Sequence, residues 1–258
     1  LILLSGFPQP IDHIETPLEF SKTKILLNDI KAQLGPNHIA GARQIDIRGA
    51  KNILVNLQAQ AEHVEIVFPE KITTVGRAQA EFFGSWLPYN LKINYDVQKG
   101  LIEKDFGVDD NSGKSFLKLS PFLPPQQIEK QVPSLLLDVN IHMPQPVIVK
   151  NRLIEGETTG DLKITGTPEH PEIVGKVDIK QGGKLFFKDK PFDIQTATIE
   201  FLPNSEITPE IYITSNARVA DYDINLLVQG IPGKNLSIKP TSQQIGRASC
   251  RERVSSPV

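Results

Sequence analysis

The stretch Leu91-Lys-Ile93-Asn-Tyr95-Asp-Val97-Gln98 is apolar at every odd position and polar at every even one. Successive side chains of a β-strand point to opposite faces, so a period of two marks a strand with one greasy side and one wet side. The same pattern recurs on either side of this stretch. Tyr222-Asp-Ile224-Asn-Leu226-Leu-Val228-Gln repeats it with one slip at Leu227. Shorter versions occur at Ile45-Asp-Ile47, Val64-Glu-Ile66, Leu135 through Met143, Leu162-Lys-Ile164, Val177-Asp-Ile179, Ile199-Glu-Phe201 and Ile211-Tyr-Ile213. Together they predict an all-β chain whose sheet has a single apolar face.

Helical signals are scarce. Ile25 to Leu34 can be written as a helix, but its neighbours are strands and Gly35-Pro36-Asn37 has turn chemistry, which favours a strand entering a hairpin. Gln126 to Gln131, after Pro124-Pro125, suits one helical turn. The acidic stretch Gly107 to Lys114 reads as an exposed loop. With the Pro-rich run Pro121 to Pro125 it is the expected break between an N-terminal part (1–120) and a C-terminal part (121–244). Twenty Pro and eighteen Gly punctuate many short segments, and no strict repeat marks a propeller or leucine-rich solenoid. Strands without helices leave a sandwich, a closed barrel or a long open curved sheet.

Among the 258 residues, 39% are hydrophobic and 22% charged, which suits a folded chain with a thin core. The formal net charge of −2 supplies no basic field for a nucleic-acid backbone, so no nucleic-acid partner is expected. The longest apolar runs, such as Leu135 to Leu137, are far too short to cross a bilayer. His13, His38, His63, His142 and His170 lie far apart and form no His-x-x-x-His pair. Gly107-Val-Asp-Asp-Asn-Ser-Gly113-Lys114-Ser115 has the wrong glycine spacing for a phosphate loop and places two aspartates where phosphate would sit. His63 and Glu65 read as a solvated pair on a strand's polar face. No nucleophile elbow is present. The chain is therefore expected to be neither an enzyme nor a holder of metal or cofactor.

The only cysteine, Cys250, lies in Ile245 to Val254, IGRASCRERV, which reads as the translation of a short-read sequencing adapter. Residues 245–258 are expected to be an artefactual, disordered tail. Without them the chain has no cysteine and no redox chemistry, which suits the periplasm.

Asn151-Arg-Leu-Ile-Glu-Gly156-Glu-Thr-Thr-Gly160-Asp-Leu-Lys-Ile-Thr-Gly166-Thr-Pro is followed by Pro171-Glu-Ile-Val-Gly175-Lys-Val-Asp-Ile, Gly183-Lys-Leu-Phe-Phe, Phe192-Asp-Ile, Ala197-Thr-Ile-Glu-Phe201, Pro209-Glu-Ile-Tyr-Ile, and Tyr222-Asp-Ile-Asn-Leu with Gly230. In order and spacing this series resembles the C-terminal region of the TamB family. Residues 1–120 fit more loosely, best at Asp46-Ile-Arg-Gly49 and Val64-Glu-Ile-Val-Phe-Pro69. The resemblance implies an AsmA-like, chorein-like lipid bridge that spans the periplasm from an N-terminal inner-membrane anchor. It implies an elongated, taco-shaped open sheet with an apolar groove for phospholipid acyl chains. It also implies a partnership of the parent protein with TamA, an Omp85-type outer-membrane barrel, and a scaffold or chaperone role in outer-membrane protein assembly is the alternative. Leu162, Ile164, Val177, Ile179, Ile199, Phe201, Ile211, Ile213, Ile224, Leu226 and Val228 are the expected groove-facing residues, the competing reading being a sandwich core. Lys163, Lys176, Asp178, Lys180, Asp223 and Asn225 are expected on the solvated face.

Overall fold

A computed structural model describes residues 11–22, 24–34, 37–47, 53–67, 71–85, 87–105, 133–203 and 207–244. The loop, break and helical turn expected within residues 107–131, and the tail 245–258, lie outside these. The N-terminal strands are β1 (Ile11–Glu15), β2 (Leu18–Phe20), β3 (Lys24–Leu34), β4 (Asn37–Ile47), β5 (Ile53–Val67), β6 (Ile72–Ser85) and β7 (Tyr89–Ile102). The C-terminal strands are β8 (Leu135–Lys150), β9 (Ile154–Gly166), β10 (Pro171–Ile179), β11 (Lys184–Phe187), β12 (Lys190–Phe201), β13 (Glu210–Val219), β14 (Tyr222–Gly230) and β15 (Ser237–Gln244). Ile25 to Leu34 is strand, and Leu34 pairs Asn37 across the hairpin that the turn residues predict.

All fifteen strands form one sheet, in the order β1-β3-β4-β5-β6-β7-β8-β9-β10-β12-β13-β14-β15. β2 extends the β1 edge along β3, and β11 fills in beside β9 and β12 beyond the end of β10. Every pairing is antiparallel except β7 with β8. That parallel junction joins the two parts of the chain into a single sheet. It also puts Ile102 and Leu135 at opposite ends of the paired strands. The sheet is open: β1 and β2 form one edge and β15 the other.

No second layer covers this sheet among the described residues, yet Ile194 and Val147 are 0% exposed. Such burial on one face requires the sheet to curl over that face, and the sheet is curved. Register shifts at similar heights supply the bend. They fall between Ala61 and Val64 in β5, between Val75 and Gly76 in β6, between Asp96 and Leu101 in β7, and between Met143 and Val147 in β8. A bulge adds a residue to one strand, bends it and increases its twist. The β8 bulge holds Pro144 and Pro146, which donate no backbone hydrogen bond and are tolerated in a central strand only at such a break. In β10, a Cβ on Gly175 would lie 2.2 Å from the carbonyl oxygen of Asp161. Glycine there lets the backbones of β9 and β10 approach closely.

Candidate functional site

Register fixes which side chains share a face. Ile173, Ile164, Val139, Ile93, Ala80, Ala59, Gly41 and Ile30 are successive cross-strand partners from β10 to β3. With seven inter-strand steps of about 4.8 Å, this row runs about 34 Å across the strands. All eight members of the row are half-buried. A neighbouring row on the same face joins Phe201, Gly175, Leu162, Ile141, Tyr95, Ala78 and Ala61. Next to it lie Ile211, Ile199, Val177, Gly160 and Met143. A further row runs Val228, Ile213, Ala197, Ile179, Thr158 and Val147. The rows lie side by side and run across the strands, so the apolar face is a trough whose long axis is perpendicular to the strands.

All eleven residues singled out from the sequence lie on this face, at different depths. Leu226, Ile213, Ile179 and Val228 are buried at 1%, 3%, 5% and 8% exposure and form one packed cluster with Leu185, Phe192, Ile194 and Ala197. Ile199, Ile211 and Ile224 are half-buried against that cluster. Leu162 and Val177 are half-buried against a second cluster around Tyr95, Val97, Met143 and Val147. Ile164 and Phe201 are half-buried along the side of the trough away from the β10–β11 turn. The face continues into β5 to β8 through Leu57, Phe82, Leu91, Ile93, Val139 and Ile141, which the sequence reading did not nominate. For Leu91 and Ile93 the signal was the alternation at Leu91 to Val97, and for Val139 and Ile141 that of Leu135 through Met143. Leu227 is not a slip, because it stands opposite Thr214 and Lys239 on the other face.

Few polar groups enter the apolar face, and most of them are satisfied within it. Tyr95 donates its hydroxyl to the carbonyl of Val64 at 3.2 Å, and Thr74 Oγ1 lies 3.1 Å away. Burial raises the Tyr95 phenol above its usual range, and the Thr74 contact offsets this in part. Thr158 donates to the carbonyl of Asp178 at 2.9 Å. Ser215, in register between Ile194 and Leu226, is buried, and its hydroxyl has no partner among the described residues.

The opposite face is wet. Lys163, Lys176, Lys180, Asp223 and Asn225 are exposed there and Asp178 is half-buried. Ion pairs tie neighbouring positions: Lys163 to Asp138 at 3.1 Å, Lys176 to Asp178 at 3.0 Å, Lys180 to Glu157 at 3.3 Å, Lys184 to Asp193, and His142 to Asp161. Thr198 donates to Asp178 at 2.7 Å. His63 lies at the β5 bulge with φ 56°, and its neighbour Glu62 takes the Arg77 guanidinium at 2.7 Å. Exposed pairs of this kind contribute about 0–1 kcal/mol each, so they keep this face solvated more than they hold the fold.

At the end of the parallel junction a polar clamp fastens the chain after β7 to the β8–β9 turn. The backbone N–H of Arg152 donates to Asp105 Oδ1 at 2.9 Å and its Nε donates to Oδ2 at 2.8 Å. Asn151 Nδ2 donates to the carbonyl of Lys104 at 3.0 Å, while its Oδ1 accepts from the N–H groups of Leu153 and Ile154. Among the described residues no three His, Cys, Asp or Glu side chains converge as a metal ion requires. No described helix is long and apolar enough to cross a membrane.

These features define a class: an open, curved all-β sheet whose distinguishing surface is one continuous apolar trough. Residues 28–246 match the TamB C-terminal domain, and the chain belongs to the TamB family, which are proteins of the bacterial envelope. The match spans both sides of the parallel junction. No curated protein matches the chain.

Proposed function

We propose that this chain is a segment of a periplasm-spanning protein whose trough conducts phospholipid between the inner and outer membranes. The observation that carries this reading is the half-buried row from Ile173 to Ile30, an apolar track about 34 Å long that the sheet's own side chains cover only in part. It is longer than the roughly 30 Å hydrocarbon core of a whole bilayer, so an extended tail fits along it with room to move. Exposing one long acyl chain to water costs on the order of 10 kcal/mol, at roughly 0.8 kcal/mol per methylene. Transfer from bilayer to an apolar trough leaves that term near zero, and the head group stays in water at the opening. Such a conduit works without catalysis, metal or cofactor.

In this reading the lining is Ile164, Phe201, Leu162, Val177, Ile199, Ile211 and Ile224, extended through Ile93 and Val139. Ile179, Ile213, Leu226 and Val228 form the packed floor on which it rests. Residues 1–120 and 121–244 are successive lengths of one groove, and the parent protein is anchored in the inner membrane and meets TamA at the outer one. Purified chain should carry phospholipid extractable into organic solvent, and Ile93→Asp with Ile164→Asp should strip most of it while the strand content by circular dichroism is kept. Unchanged lipid in the folded double variant contradicts the reading.

A second reading is a scaffold in outer-membrane protein assembly, in which edge strands, here β1, β2 and β15 among the described residues, accept client strands. Capture of an Omp85-type barrel by a chain free of lipid would support it over conduction.

A further inference from the structure

On the face opposite the trough, at one end of β5 and β6, Leu54, Asn56, Gln58, Glu81, Phe83 and Ser85 line a shallow cavity of about 400 Å3. This lies at the small end of the roughly 300–1,000 Å3 usual for small-molecule sites. Phe83 is 40% exposed and stands in register between Asn56 on β5 and Asn90 on β7. In the adjacent row Glu81 stands between Gln58 and Lys92, and Gln58 Nε2 donates to Glu81 Oε1 at 2.7 Å. One row further, Gln60, Gln79 and Asn94 are partners, and Asn140 Nδ2 donates to Asn94 Oδ1 at 2.9 Å. Ion pairs of Lys, Asp and Glu predominate on the same face from β8 to β10.

We propose that this cavity binds a glycan built of neutral or N-acetylated sugars, one ring stacked on Phe83. An exposed aromatic ring offers a flat apolar face with negative π density, which suits the C–H face of a pyranose. Side-chain amides present a donor and an acceptor together, and the Glu81 carboxylate accepts from hydroxyls; these are the partners that a ring of hydroxyl groups requires. The lining sets an apolar part, Leu54, Val55 and Phe83, beside a polar one, Asn56, Gln58 and Glu81, as the C–H face and hydroxyl edge of a sugar ring require. A phosphate would meet the Glu81 carboxylate at the edge of the site. Of the cavity's eight lining residues only Val55 and Gly84 fall on the trough side of the register, so its polar groups and the Phe83 ring stand apart from the lipid reading.

The test is titration of the whole chain with N-acetylglucosamine tetramer and, separately, cellotetraose, followed by calorimetry and amide chemical shifts. Saturable binding of either sugar is expected, the pair distinguishing N-acetylated from plain glucose-type chains. Phe83→Ala should weaken it roughly three- to tenfold, the range of one aromatic contact, and Phe83→Trp should retain it. Should Phe83→Ala fail to fold, Asn56→Ala, at an exposed position, serves in its place. Binding of neither sugar overturns the proposal, as does equal binding by a folded Phe83→Ala variant, or binding that shifts only amides outside β5 to β7.

Discussion

Ile93 on β7 and Val139 on β8 are direct register partners across the parallel junction, so the apolar face crosses from one part of the chain to the other without a change of phase. A one-residue slip there would turn every apolar side chain of the C-terminal strands to the wet face. The trough therefore depends on pairing between residues far apart in sequence as much as on alternation within each strand.

Depth within the trough separates packing from lining. Ile194, at 0% exposure in the cluster beneath β12, should lose about 2–5 kcal/mol on replacement by Ala. Ile148, 51% exposed on the opposite face, should lose less than about 0.5 kcal/mol. Urea denaturation of the two variants checks the contrast, and equal losses would mean that the curl does not enclose the inner face.

The strands and their faces were legible in the sequence because a period of two is a local property: Tyr222 to Gln229 follows it even at Leu227, where an apolar residue points outward. Depth was not legible. Alternation tells which face Ile213 and Ile164 share, but not that one is packed beneath its neighbours while the other is half-buried at the trough's side. The lining of β5 and β6 was hidden for a different reason. Ala59, Ala61, Ala78 and Ala80 are too small to stand out as an apolar stripe, although register puts them on the face of Ile93 and Tyr95. The pairing of β7 with β8 joins residues more than forty positions apart, and no local pattern announces it. Pro144 and Pro146 would by themselves argue for an edge strand. β8 is central because both fall within its bulge.

Two glycines separate steric need from backbone need. Gly175→Ala places a methyl 2.2 Å from a fixed carbonyl at φ +141°, whereas Gly182→Ala, at φ +93°, meets nothing within 4 Å. Gly182→Ala should cost about 1 kcal/mol through conformation alone. Gly175→Ala should cost several-fold more and loosen β9 against β10, seen as faster amide exchange at Leu162 and Val177. Equal costs would show that the close approach of β9 and β10 is not needed for the fold.

Acid should weaken the clamp at the parallel junction. The backbone N–H of Arg152, then its guanidinium, hold the Asp105 carboxyl below its ordinary range against a smaller opposing effect of burial. A carboxylate whose folded pKa is depressed contributes stability above its unfolded pKa, near 3.9, and loses it as pH falls through the folded value. Wild type should therefore exceed Asp105→Asn in stability at neutral pH, and the gap should narrow as pH falls below the ordinary carboxylate range. A gap that persists in acid would assign the clamp to packing and not to charge.

The central claim, that the half-buried face meets acyl chains, is tested most directly by residue-specific photo-crosslinking in the intact parent protein in cells. Probes at Ile93 and Ile164 face the trough, and probes at their strand neighbours Asn94 and Lys163 face water. The account predicts phospholipid adducts at Ile93 and Ile164 and only background at Asn94 and Lys163. Equal labelling of both pairs, or no lipid at Ile93 and Ile164 in an expressed and folded protein, would contradict it.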